Sequence, residues 1–288
     1  MNEQVIFCVG GDLRQVYTSM SLADCGRVYT CGINGTGGKV IPLAGLEDMP
    51  EQADVLVLPL MGSDELKVKC FSGGEIAFTR LTPKLKKGAL VTGGRLGAAA
   101  AGYFKAKGFD VADYFKEEAL MVKNCLPTAE GTLEIAMRET AFTVAGSKVL
   151  ITGFGRTARS CALLFKAVGA DCTVAARSSA ALAQAWSMGL GTLDIKGMKN
   201  RLFEFDIVIN TVPAMILDRE ALEKTAKDTL IIDLASKPGG TDLEAAKELN
   251  RRTVHALALP GKAAPGTAGI IIADTVRDIL RERGKRNE

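Results

Sequence analysis

At 288 residues the chain exceeds the roughly 100–200 residues of an ordinary single domain, so two domains are expected. Hydrophobic residues make up 47% and charged residues 24%, the composition of a globular α/β protein rather than a disordered one. The 36 basic and 33 acidic residues are interspersed and leave a formal net charge of +3, which excludes the clustered basic stripe that nucleic-acid binding requires.

The opening MNEQVIFCVGGD carries no basic and apolar leader, and no apolar run approaches the roughly 20 residues of a membrane span. A cytoplasmic protein without membrane contact is therefore expected. The seven cysteines (Cys8, Cys25, Cys31, Cys70, Cys125, Cys161, Cys172) are odd in number and form no CxxC pair, so they read as reduced structural thiols. With His255 as the single histidine, no metal site is expected.

In chain order, VIFCVGGD (5–12), a short strand in GKVIPL (38–43), DVLVLPL (54–60) and GALVTGG (88–94) alternate with helical stretches, the rhythm of a small doubly wound sheet. From Thr128, read as an N-cap, TAEGTLEIAMRETAFTV has helical spacing and predicts a helix linking two domains. A second series follows: SKVLITGFG, a helix to about Val168, CTVAAR, a helix to Met188, then DIVINTV, LIIDLA and VHALAL. The tail AGIIIADTVRDILRERGKRNE predicts a terminal amphipathic helix, with Thr267 just before it as a cap or a cleft residue. The expected fold is α/β with two doubly wound domains: residues 1–127, completed by the helix 270–288, and a Rossmann dinucleotide-binding domain over 128–269.

The most informative segment is KVLIT followed by Gly153-Phe154-Gly155-Arg156-Thr157-Ala158 and the helix RSCALLFKAVGA. This is GxGxxA in its strand-turn-helix context. Gly153 permits the tight turn, Gly155 lets backbone approach a pyrophosphate, and Ala158 lets the helix pack closely on the sheet. At the end of the next strand, where an NAD enzyme offers a carboxylate to the ribose, this chain has Ala176-Arg177-Ser178-Ser179. Arg177 suits a 2′-phosphate, with Ser178 and Ser179 as hydrogen-bond donors, which favours NADP(H) over NAD(H). Asn210, Thr211 and Pro213 end a later strand at the carboxyl edge and are expected near the nicotinamide ribose.

Four stretches, GGDLRQ (10–15), CLPTAEGT (125–132), IDLASKPGGTD (232–242) and ALPGKAAPGTAG (258–269), together resemble the dipicolinate synthase A-subunit family across essentially the whole chain. The resemblance implies a role in forming dipicolinate, the spore-core metabolite, in the mother cell during sporulation. It implies, as partner, the flavoprotein-like B subunit of dipicolinate synthase. It further implies a substrate, 4-hydroxy-tetrahydrodipicolinate, that loses water and two hydrogens to NADP⁺. The two-domain plan it implies is like that of D-2-hydroxyacid dehydrogenases, with substrate in the cleft facing the cofactor.

A small dicarboxylate needs cations, and Arg14, Arg95, Lys237 and Lys262 stand at strand ends or glycine loops. Ser236 and the glycines beside Lys237 offer an anion nest, and Lys237 itself joins the candidate catalytic groups. Glu130, at the start of the linking helix, and Asp12, after the first strand, are the proton-transfer candidates. His255, read as beginning its strand away from the carboxyl edge, is not nominated. Two other readings stay open: a regulatory protein that binds NADP(H), and a stand-alone hydroxyacid- or shikimate-type NADP dehydrogenase. A homo-oligomer is the default expectation.

Overall fold

Val5–Val9 and Ala53–Leu58 are apolar at nearly every position, which a half-exposed antiparallel strand would not tolerate but a parallel strand covered on both faces requires. The computed structural model, which describes all residues except 1–3, 62–64, 237 and 288, places them side by side at the centre of a parallel sheet. The chain divides into two compact units, residues 1–124 with 264–288, and residues 125–263.

Unit 1 begins β1 (Gln4–Val9), α1 (Leu13–Leu22), β2 (Gly26–Cys31), β3 (Ile41–Leu43) and β4 (Ala53–Leu60). A short antiparallel hairpin, β5 (Lys67–Lys69) and β6 (Glu75–Ala77), precedes α2 (Phe78–Leu81). Then come β7 (Leu85–Gly94), α3 (Ala98–Ala106), β8 (Asp110–Asp113) and α4 (Glu118–Lys123). Unit 2 runs α5 (Cys125–Glu139), β9 (Lys148–Thr152), α6 (Arg156–Ala167), β10 (Asp171–Ala176), α7 (Ser179–Ser187), β11 (Gly191–Asp194), β12 (Ile207–Asn210), α8 (Arg219–Glu223), β13 (Leu230–Asp233), α9 (Leu243–Glu248), β14 (Arg252–His255) and α10 (Leu259–Ala263). The chain then returns to unit 1 as α11 (Pro265–Asn287).

Among the described residues each unit carries one six-stranded sheet, ordered β3-β2-β1-β4-β7-β8 and β11-β10-β9-β12-β13-β14, and every pairing within them is parallel. Both are the doubly wound order in which the winding direction reverses beside the first strand. The expected α/β fold with two doubly wound sheets is thus present. In unit 1, Phe7, Leu56, Leu58, Phe78 and Phe104 pack on one face, while Ile6, Val57, Tyr114, Ile272 and Val276 pack on the other. In unit 2, Ile151, Ala158, Ala162, Phe165 and Leu259 cover one face, and Met198, Leu202, Leu217 and Ala246 the other. No helix of the described residues is long and apolar enough to cross a membrane.

Three boundaries differ from the sequence expectation. α5 starts at Cys125, so Thr128 is not its cap; it sits in the first turn, and its carbonyl accepts from Thr132 Oγ1 at 2.8 Å. Pro127 is accommodated because the first-turn N–H groups have no intrahelical partner to lose. Glu130 accordingly falls in the second turn. α11 likewise starts at Pro265, which leaves Thr267 inside the helix rather than capping it. The apolar run VHALAL is only partly a strand: β14 ends at His255, Ala258 takes a left-handed φ of 59°, and Leu259 enters a helix. His255 pairs with Asp233 in register, which puts it at the carboxyl end of the sheet and not at its start.

Candidate functional site

Both sheets present a glycine turn at the carboxyl end of their first strand, beside the reversal point where ligands of open α/β sheets bind. The two turns differ in what lies on top of them.

In unit 2, Gly153 takes φ +80° and its N–H donates to Ala175 O at 2.8 Å. A Cβ there would stand 3.0 Å from Thr211 Oγ1, so the turn closes only with glycine. Gly155 caps α6 in extended backbone without a side chain to accept the helix N–H groups, and a Cβ at this position would meet nothing within 4 Å. An open, positively polarised helix start with room above it is the geometry that accepts a pyrophosphate. Ala158 is fully buried against the sheet. Phe154 is buried, and Arg159, which no sequence motif singles out, fixes it: the guanidinium lies 5.1 Å over its ring, Nε donates to its carbonyl at 3.1 Å, and Nη2 donates to Gln184 Oε1 at 2.6 Å. Thr157 Oγ1 and Cys125 Sγ share a contact of 3.6 Å that ties α5 to the same loop.

Beside this loop a cleft of about 300 Å³ is lined by Arg177, Ile195, Lys196, Met198, Val212 and Met215, among others. Its walls are apolar and its rim is cationic. Among the described residues Arg177 and Lys196 face no carboxylate partner, whereas Lys199 is neutralised by Asp218 at 2.7 Å and Glu220 at 2.9 Å. The carboxylate that ends β11, Asp194, is occupied by the backbone N–H of Lys196 at 2.9 Å. Ser178 caps α7, its Oγ accepting from Ala181 N at 3.4 Å, and Ser179 opens that helix beside it.

Asn210 ends β12 at the carboxyl edge, as expected, with its side chain turned into the protein. It is fully buried: its Oδ1 accepts from Thr152 Oγ1 at 2.6 Å and Val212 N at 3.1 Å, and its Nδ2 donates to Asp233 Oδ1 at 2.8 Å and Val212 O at 3.2 Å. Asp233 also accepts from Ala235 N at 2.9 Å and Gly240 N at 3.1 Å. This network holds the loop after β13 against β12, and a Cβ on Gly240 would fall 2.2 Å from Asn210 Nδ2. Thr211 is half-buried, its hydroxyl donating to Thr152 O at 2.7 Å, and Pro213 is exposed. Ser236, Lys262 and Glu130 are exposed. Lys237 lies outside the described residues.

In unit 1 the corresponding glycine turn is covered. The hairpin lies over it: Gly11 N donates to Lys69 O at 2.8 Å, and a Cβ on Gly10 would fall 2.4 Å from Val68 Cγ1 and 2.5 Å from Lys69 O. The start of α1 is occupied by its own carboxylate, Asp12, which accepts from Arg14 N at 3.0 Å. A phosphate at that point would meet both a filled space and a negative charge.

What remains in unit 1 is a cavity of about 290 Å³ at the β1/β4 reversal point, lined by Asp12, Arg14, Gln15, Met61, Lys67 and Lys69, among others. Arg14 is mostly buried, and its Nε and Nη2 edge grips Asp12 with contacts of 2.6–3.1 Å. Burial pushes the Asp12 carboxyl up, but the Arg14 hydrogen bonds and charge outweigh it and hold it below its ordinary value. That fits Asp12 for orienting Arg14 rather than for carrying a proton. Gln15 is buried and donates from Nε2 to Val57 O at 2.8 Å. Arg95 does not line this cavity. It sits at the end of β7 with a left-handed φ of 52°, its guanidinium 4.9 Å over Phe115, its N–H held by Asp113 at 2.9 Å.

Comparison with known proteins adds a family. Residues 5–115 match the family defined by the N-terminal domain of the dipicolinate synthase A subunit. The chain is 32% identical over 286 residues to the dipicolinate synthase A subunit of Bacillus subtilis (strain 168), covering 96% of each. The crystal structure of the dipicolinate synthase A subunit from Bacillus halodurans superposes with a TM-score of 0.87 at 30% identity, covering 97% of this chain and 98% of that one. Its Bacillus subtilis counterpart gives 0.85 at 30% identity, with 99% and 98% covered. A transhydrogenase from Sinorhizobium meliloti shares the fold alone, with a TM-score of 0.70 and 14% identity over 96% of this chain and 92% of that one.

Proposed function

The chain belongs to the dipicolinate synthase A-subunit family, and from that premise we propose that it is an NADP-dependent oxidoreductase that converts 4-hydroxy-tetrahydrodipicolinate to dipicolinate together with the B subunit of that enzyme. The observation that carries the cofactor half of this reading is the contrast between the two glycine turns. That of unit 2 is open at a helix start, while that of unit 1 is filled by the hairpin and by Asp12. The dinucleotide belongs to unit 2, its pyrophosphate on Gly153–Thr157 and its adenosine in the cleft lined by Arg177, with Ser178 and Ser179 following Arg177 at the start of α7. Arg177 faces no carboxylate among the described residues and no acidic residue ends β10, which supports a 2′-phosphate there over a ribose diol.

Bound NADP⁺ supplies the hydride acceptor. The substrate loses one water and two hydrogens, one as hydride and one as a proton, so each turnover yields NADPH, a proton, water and the aromatic diacid. The residues of the chain supply position and charge. Arg14 anchors a substrate carboxylate in the unit 1 cavity, Asp12 orients Arg14, and Arg159 stiffens the loop on which the phosphates rest. Glu130 and Lys237 are the proposed proton carriers.

The test is a titration with NADPH and NADH, followed by nicotinamide fluorescence, and then turnover of the pathway intermediate with NADP⁺, with the B subunit present and with it omitted. The expected result is selective NADPH binding, with Arg177→Asp reversing the preference by about tenfold or more, since a charge-assisted bond contributes roughly 1.5–3 kcal/mol. Unchanged NADPH affinity in Arg177→Asp would refute the 2′-phosphate assignment. Binding without turnover under either condition would refute the catalytic one.

A further inference from the structure

We propose that the unit 1 cavity is a two-cation dicarboxylate site in which the outer edge of Arg14 takes one carboxylate and Lys69 of the β5–β6 hairpin takes the other. This rests on the substrate reading above and names the groups that would distinguish a diacid from a monoacid.

A guanidinium has two edges able to bind a carboxylate in bidentate fashion, one formed by Nε and Nη2 and one by Nη1 and Nη2. Asp12 occupies the first in Arg14, and no described residue hydrogen-bonds to Nη1. The second edge is therefore available in a side chain that is mostly buried and cannot swing away. One arginine edge holds one carboxylate, so a diacid across a six-membered ring needs a second cation.

The hairpin supplies it. Val68 is fully buried, so Lys67 and Lys69, two residues apart on one strand, share the opposite face and line the cavity. Lys67 is neutralised by Glu75 at 2.7 Å and Glu65 at 3.6 Å. Lys69 has no carboxylate within ion-pair distance among the described residues, and its carbonyl, accepting from Gly11 N, pins its backbone to the glycine turn. Arg95, one of the four cations expected from sequence, stands outside the lining. The volume of about 290 Å³ lies at the small end of ligand sites and is large enough for a single-ring metabolite.

The test is calorimetric binding of pyridine-2,6-dicarboxylate and pyridine-2-carboxylate to the full chain without nucleotide. Wild type should prefer the diacid. Lys69→Met should weaken the diacid by about tenfold or more and leave the monoacid unchanged, Lys69→Arg should keep the preference, and Arg14→Met should weaken both. Lys105→Met, a charge-matched change on α3, should alter neither. An undiminished preference in Lys69→Met, or its collapse in Arg95→Met instead, overturns the assignment. So does a wild-type chain that binds NADPH but neither acid, which leaves the cofactor reading intact; diacid binding through Lys69 in a chain that binds no nucleotide would do the reverse.

Discussion

The Asp12–Arg14 pair shows how two residues separated by a single position settle into different tasks. Asp12 caps α1 with one oxygen and grips Arg14 with both, so its carboxylate is stabilised in the charged form. Its folded-state pKa lies below the ordinary 3.8 of the unfolded chain, so the pair stabilises the fold above about pH 4 and that contribution is lost as pH falls through the folded value. Asp12→Asn should melt below wild type at pH 7, and the gap should narrow as melting is followed from pH 5 to pH 2. A gap that stays constant to pH 2 would contradict the charged pairing. In the sequence Asp12 and Arg14 were both legible as site residues, because a glycine turn after an apolar strand marks a carboxyl edge. That one would lock the other was not legible, since it depends on the rotamers of both side chains.

At the scale of elements, glycine has a packing role that helix propensity alone would misjudge. Gly131 lies inside α5, where replacement by alanine favours an isolated helix by about 1 kcal/mol. In the fold its missing Cβ would stand 2.9 Å from Ala263 Cβ and 3.3 Å from Leu259 Cβ, both on α10, and neither is a flexible tip that can move aside. Overpacking of this kind costs about 1–3 kcal/mol, so packing outweighs propensity and Gly131→Ala should lower Tm by a few degrees. A raised Tm would show that α10 yields. Gly269, whose Cβ would meet Arg14 O at 2.6 Å, plays the same part between α11 and α1. The long strands and the β9–α6 turn were readable from hydrophobic runs and glycine spacing. β2, β8, β11 and the β5–β6 hairpin were not: the alternation of Lys67-Val68-Lys69 is too short to mark a strand, and tertiary contact with Gly10, Gly11 and Gly32 holds it in place.

At the scale of the molecule, one strand order occurs twice, and cover rather than topology separates the two proposed uses. The sequence has a glycine turn after β1 and another after β9, but nothing in it reveals that a hairpin far along the chain from the first turn lies over it. The consequence can be measured over the whole chain by hydrogen exchange. NADPH at about 100 times its Kd stabilises the folded state by about 2.7 kcal/mol, and amides that exchange through opening of the bound region should slow accordingly. Protection should gather at residues 153–160, 177–181 and 195–199 of unit 2, and residues 10–16 and 67–71 of unit 1 should exchange as in the free chain. Pyridine-2,6-dicarboxylate should give the complementary pattern, slowing 10–16 and 67–71. If NADPH instead protected 10–16 and left 153–160 untouched, the hairpin would have to lift from the unit 1 turn on binding, and the assignment of the dinucleotide to unit 2 would be reversed.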